Sequence, residues 1–206
     1  MITATLPMAA DKSSGKTRLG NHKPIGCVNI ALGQAIATMG KFRGTFYGNK
    51  SIDFNALPEE LDLSSNPGDI LQINHFLQEI ALNCQTKFRC DGGYTAITAA
   101  VNYLRDIGYK VDQIDGGLDK TRFISYLQQG HPHISSGYND KGKGHAWILD
   151  GIVEHNGMCN FHINWGNGGN ASNGWSSEYY FTVNAIDTNN YYKDRVQIYI
   201  GEVPTE

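Results

Sequence analysis

Lys143–Trp175, KGHAWILDGIVEHNGMCNFHINWGNGGNASNGW, reads as a β-hairpin. Gly144–Gly151 is made mostly of strand-forming residues, Asn156-Gly157 is a turn dipeptide, and Met158–Trp165 is the returning strand. Side chains alternate faces along a strand. His145, Trp147 and Leu149 therefore share one face, and Ala146, Ile148 and Asp150 the other. Folding back around Asn156 brings His145 near residues 164–168. An imidazole, an amide and an indole then meet at one end of a sheet. This arrangement suits a histidine that must be held at a fixed tilt and kept from water.

Such a histidine needs a group to act on, and the candidate lies far upstream in Gly20–Met39, GNHKPIGCVNIALGQAIATM. Pro24 and Gly26 break the chain, and Cys27 opens a helical run whose stripe is Val28, Leu32, Ala35, Ile36 and Met39. Ala31, Gly33 and Ala37 keep the opposite side narrow, so the helix is expected to be buried on more than one face, ending at Gly40. A cysteine in a first helical turn sits where the partial positive charge of the helix favours a thiolate. A distant histidine with an Asn partner completes a nucleophile constellation. By periodicity alone, a buried structural thiol and a core histidine fit equally well.

With these residues in view, the chain resembles the streptopain-type cysteine peptidases, a branch of the papain-like superfamily. Cys27-Val28 with Gln34 matches the family's cysteine motif. Gly144-His145-Ala146-Trp147-Ile148-Leu149-Asp150-Gly151 matches its histidine motif, and Asn164-Trp165-Gly166-Asn167-Gly168-Gly169 its third. One such motif is weak; three in order, spanning about residues 20–200, are specific.

The resemblance implies a cysteine endopeptidase acting through a Cys27–His145 dyad and a thioacyl-enzyme. It implies an α+β, papain-like two-lobed fold, with a helical lobe over about 20–130 and an antiparallel β lobe over about 131–206. Residues 1–19 are read as a flexible lead-in. Asn164 and Trp165 would orient and shield His145. In the papain motif, however, the Asn lies two positions before the Trp, where this chain has Ile163. Asn164 then faces the other way, and the Trp or a backbone carbonyl sets the tilt; an Asn serving only its loop is the plain alternative. The oxyanion donors would be the Cys27 N–H and Asn21, which stands where the family has a Gln. Gly144 and Asn167 would wall the cleft, Asn167 replacing the family's usual Trp. Protein or peptide substrates, a pro-segment or inhibitor protein, and a secreted or cell-surface bacterial location also follow from the family. No cofactor is implied. No signal-peptide pattern opens the chain and no long pro-segment precedes Cys27; this is expected either of a mature portion with an added Met1, the favoured reading, or of a protein that lacks the family's processing.

The rest of the sequence agrees with a globular enzyme. Its 206 residues are 40% hydrophobic and 18% charged, enough for one compact domain or two small lobes. A net charge of −3 argues against nucleic acid and anionic membranes, and no apolar run reaches the length of a membrane span. Helices are predicted from Pro67, over Tyr94–Ile107 and over Asp119–Gln129. Strands are predicted over Tyr109–Ile114, Ile134–Tyr138, Glu178–Val183 and Arg195–Ile200. Cys84 and Cys90 are either bridged or free, and Cys159 reads as core. His131, His133, His155 and His162 show no zinc-ligand spacing, so no metal is expected.

Two other readings share these residues. One is an amidase or transglutaminase-like acyl-transfer enzyme, disfavoured because no Asp lies between Phe161 and Gly166. The other is a catalytically impaired homologue that binds protein, for which Asn21 and Asn167 argue and the retained Cys27 and His145 argue against.

Overall fold

A computed structural model of the chain describes residues 24–40, 52–57, 65–89, 92–116, 118–139, 141–155, 158–166, 174–177 and 193–201. The lead-in, Asn21, Asn167 and the strand expected over Glu178–Val183 lie outside them.

Helix α1, Cys27–Met39, starts after Gly26 and stops at Gly40, whose φ of 62° is the left-handed cap that glycine adopts without a side-chain penalty. Its residues from Asn29 to Ile36 are all buried, which explains a helix apolar on nearly every side. Helix α2, Pro67–Asn83, begins as its sequence dictates: the Asn66 side chain accepts from the Gly68 N–H at 2.8 Å, and Pro67 takes the first turn. Its Ile73, Phe76, Leu77 and Ile80 are buried in the core shared with α1, each contributing about 1.5–3 kcal/mol. The two helices meet at Gly33, where a Cβ would lie 2.8 Å from the Leu77 side chain. Helix α3, Ile97–Asp106, buries Ala100, Val101, Tyr103 and Leu104 in the same core.

Two strands absent from the sequence reading, β1 (Lys87–Arg89) and β2 (Gly92–Tyr94), pair as a small antiparallel ribbon. The main sheet has six strands in the order β3-β8-β4-β5-β6-β7, every pair antiparallel. They are β3 (Lys110–Asp115), β4 (His133–Tyr138), β5 (Gly144–His155), β6 (Met158–Asn164), β7 (Gly174–Ser177) and β8 (Lys193–Gly201). The hairpin read from sequence is β5–β6. Its predicted faces separate as alternation requires: Ala146 and Ile148 pack in the helical core, Trp147 and Leu149 in a second cluster on the far face. Helix α4, Lys120–Gln128, covers that second face. Asp119 caps it by accepting from the Arg122 N–H at 3.0 Å, and Phe123 is fully buried in the cluster.

The simple order of helices followed by strands is modified by topology. β3 precedes α4 in the chain, yet it forms an edge of the sheet, and β8 from the far end inserts between β3 and β4. β7 was not foreseen either; its four residues follow a Gly/Asn-rich stretch with no strand period.

A buried polar group lies on the far face of β4 and β8. His133 Nε2 donates to Gln197 Oε1 at 2.7 Å, Ser135 Oγ donates to the same oxygen at 2.8 Å, and Gln197 Nε2 donates to the Gly116 carbonyl at 3.2 Å. Burial drives the His133 imidazole down to about 4 from its ordinary 6.5. The unfolded chain therefore binds a proton between those values that the folded one refuses. The neutral ring's contribution is complete above pH 6.5 and is lost as pH falls through 4, a change of roughly 3 kcal/mol. Urea midpoints measured across this range should fall steeply in the native protein and much less in His133→Gln. Equal slopes in both would place the acid-sensitive group elsewhere.

Candidate active site

Cys27 and His145 line one cleft of about 370 Å³. Its walls come from the start of α1, from the β2 segment Gly92–Thr95, and from the β4–β5 end of the sheet. Gly144, predicted as cleft wall, lines it too, and its Cα faces the Tyr138 ring, which a Cβ would approach to 2.9 Å.

The entry to α1 is held by backbone apposition that the sequence reading missed. Gly93 donates its N–H to the Pro24 carbonyl at 2.8 Å. Gly26 has φ 97°, and a Cβ there would sit 2.3 Å from the Gly93 carbonyl oxygen. A Cβ on Gly93 would sit 2.4 Å from the Ile25 carbonyl oxygen. The Pro24-Ile25-Gly26 strap and the ribbon thus touch main chain to main chain, immediately before Cys27. The buried Asn29 ties the first turn further. Its Nδ2 donates to the Ile25 carbonyl at 2.8 Å and to Thr86 Oγ1 at 2.9 Å, and its Oδ1 accepts from Thr95 Oγ1 at 3.1 Å.

His145 Nε2 lies 2.9 Å from the Trp165 carbonyl oxygen. A carbonyl only accepts, so Nε2 carries a proton and the neutral ring's acceptor is Nδ1. The ring lies nearly parallel to Trp165, at 26° with centroids 5.9 Å apart, and to Trp147, at 21° and 6.3 Å. Both indoles are buried, and they contact each other at 5.1 Å. Trp147 is thus a third member of the aromatic surround. Its signal was present in the alternation, which put it on the face of His145. Asn164 is buried, and its Oδ1 accepts from the Gly166 N–H at 3.0 Å, bracing the turn that presents the Trp165 carbonyl.

Further along the hairpin, β5 and β6 shift register between Leu149 and Gly151. His162 Nδ1 meets Asp150 Oδ1 at 2.6 Å across that bulge. The hydrogen bond and the carboxylate charge hold His162 above its ordinary 6.5. This ion pair locks the two strands where their ladder is interrupted.

The electrostatics of the cleft differ from the helix-dipole expectation. Burial pushes the Cys27 thiol above its ordinary 9.0; the backbone N–H groups of Ala146, Val28 and Cys27 itself oppose this but do not prevail. Burial likewise lowers His145 below 6.5, against the Trp165 carbonyl, which raises it. A lone thiolate or a lone imidazolium is therefore disfavoured here. Proton transfer between the two leaves the net charge of the site unchanged.

Of the other cysteines, Cys84 is a free thiol buried in the core, its pKa pushed up to about 12 by desolvation. Cys90 and the Cys159 side chain lie outside the described residues.

Comparisons with known proteins give the family and the fold. The model of the Peptidase C10 family matches residues 9–176. The fold is similar to that of active wild-type interpain A cysteine protease from Prevotella intermedia. That likeness has TM-score 0.71 and 18% identity, over 95% of this chain and 91% of that one. It is similar also to a cysteine-to-alanine mutant fragment of prointerpain A from the same organism, with TM-score 0.61 and 16% identity, over 93% of this chain and 67% of that one. No curated protein sequence matches. The helices, the antiparallel sheet and the cleft between them form an α+β papain-like protease fold. The chain belongs to the peptidase C10 family and is a cysteine-type peptidase.

Proposed function

We propose that residues 20–206 act as one catalytic domain that cleaves peptide bonds in proteins, with Cys27 as nucleophile and His145 as general base and acid. The observation that carries this reading is the shared cleft. It joins a cysteine at a helix start to a histidine whose Nε2 is tied to the Trp165 carbonyl and whose ring lies nearly parallel to two indoles.

The chemistry follows from the protonation states. With Nε2–H donating to Trp165, Nδ1 takes the proton of Cys27 as sulfur attacks the substrate carbonyl. The imidazolium so formed is stabilised by the same carbonyl and then protonates the leaving amine. Water, deprotonated by His145, hydrolyses the thioacyl-enzyme and restores the thiol. The Cys27 N–H is one donor to the tetrahedral oxyanion and the Asn21 carboxamide is proposed as the other. Trp165 acts through its carbonyl and its ring; Asn164 acts by holding the turn on which that carbonyl is carried. Gly144 keeps the cleft wall low beside His145, and Asn167 is proposed as a further wall residue.

The family and the likeness to a prointerpain fragment support production as a secreted bacterial zymogen with a pro-segment. Among the described residues, no helix is long and apolar enough to cross a membrane.

Alkylation read by peptide mapping tests the nucleophile. At about pH 5.5 an unassisted thiol is almost wholly protonated and reacts slowly. Cys27 should be labelled selectively, with loss of casein hydrolysis, while the buried Cys84 stays unlabelled. Labelling that is slow and evenly spread, with casein hydrolysis intact, contradicts this reading.

A further inference from the structure

The cleft is embedded in a chain of net charge −3, yet no Asp or Glu is found among the described residues lining it. Cations stand on both of its rims. On one side, β1 exposes Lys87, Phe88 and Arg89, and the Arg89 guanidinium carbon lies 4.8 Å over the ring centre of Tyr94. Tyr94 itself lines the cleft. A stacked guanidinium is held in place, is weakly hydrated, and keeps its N–H edge for a carboxylate.

On the other side the β4–β5 turn presents Lys141 and Lys143, both exposed, on either side of the cleft-lining Gly142. Asn139 Oδ1 accepts from the Lys141 N–H at 3.0 Å and the Lys143 N–H at 2.9 Å, and the Asn139 carbonyl accepts from the Gly142 N–H at 2.9 Å. Arg89, Lys141 and Lys143 form no ion pair with one another or with any other described residue. Asp91 and Asp140, their neighbours in sequence, still leave the two segments net positive.

We propose that this peptidase prefers substrates with acidic side chains flanking the scissile bond, one held by Arg89 at the Tyr94 rim and another by Lys141 and Lys143 at the turn. The proposal rests on the peptidase reading and adds the substrate class. A substrate carboxylate meets a charge with no partner among the described residues on either rim, while a substrate Lys meets like charge. These are rim contacts in water, so each is modest and sensitive to salt.

Quenched peptides identical except for Glu, Gln or Lys at each position around the scissile bond test this. At low salt kcat/KM should be about fivefold higher for Glu than for Gln at one position on each side, with Lys poorest, and the difference should shrink at high salt. Arg89→Gln should remove the preference at one position and the double change Lys141→Gln, Lys143→Gln at the other. Arg89→Glu should turn its position toward Lys. Equal rates for the three peptides, cleaved by an enzyme whose Cys27 is alkylated normally, overturn the proposal and leave the peptidase reading intact. No cleavage of any peptide, together with an unreactive Cys27, overturns both.

Discussion

His145→Ala and Cys27→Ala should each lower kcat/KM on a peptide substrate by about four to six orders of magnitude, and the double variant hardly further. In the proposed mechanism the two side chains work as one unit, so removing either removes the whole proton cycle. Both line the cleft, but Cys27 also packs against the helical core and His145 bonds the Trp165 carbonyl, so stability read from urea midpoints should fall modestly, by about 1–2 kcal/mol, far less than the loss of turnover. The pH profile gives the sharper test. The competent site holds one proton between sulfur and imidazole, whichever of the two carries it. Below the acid limb both are protonated and the imidazole accepts nothing; above the alkaline limb both are deprotonated and no acid remains for the leaving amine. Burial lowers the histidine side from 6.5 and raises the thiol side from 9.0, so the plateau should extend below the first value and above the second. The two apparent values belong to the pair. A rate that climbs steadily past pH 9 without a plateau would mean an unassisted thiol and refute the pairing.

Gly26→Ala should be the most damaging substitution outside that pair. Gly26 combines φ 97° and ψ 146°, a conformation available almost only to glycine, with a contact at which any Cβ meets the Gly93 carbonyl oxygen at 2.3 Å. Backbone faces backbone, so no side-chain rotation relieves the clash. Strain and overpacking together should cost about 3–5 kcal/mol. Whatever moves to accommodate the methyl also moves Cys27, the next residue, and a shift of about 1 Å costs on the order of a hundredfold in turnover. Gly93→Ala meets the same strap from the other side, with its Cβ 2.4 Å from the Ile25 carbonyl oxygen. Gly40→Ala is the control. Its φ is also positive, at 62°, but a Cβ there meets nothing within 4 Å, so only about 1 kcal/mol should be lost and turnover kept. Urea unfolding and kcat for the three variants decide the matter. Three similar values would show that positive φ alone, not the main-chain contact, sets the cost.

Much of this molecule is written in short-range patterns. Pro24 and Gly26 before an apolar run placed the start of α1 at Cys27, and Asp119 with Phe123 marked α4. Alternation along residues 144–151 sorted Trp147 and Leu149 from Ala146 and Ile148, because a strand has period two whatever it packs against. The motifs carried the family, and with it the cysteine and histidine that line the cleft. Tertiary structure decided the remainder. The sequence left a backbone carbonyl open as the group setting the His145 tilt, but every residue has one, and only the tertiary structure shows that it is the Trp165 carbonyl. The apposition of Gly26 and Gly93 joins segments far apart in sequence, and glycine is as common in loops as at close contacts. The position of β8 between β3 and β4 is set by which strand edge remains to be paired once the chain has returned. The helix start at Cys27 was legible, but the state of its thiol was not. A helix end is a local feature, whereas desolvation depends on every wall of the cleft, and those walls exist only after α1, the β1–β2 ribbon and the sheet have closed around it.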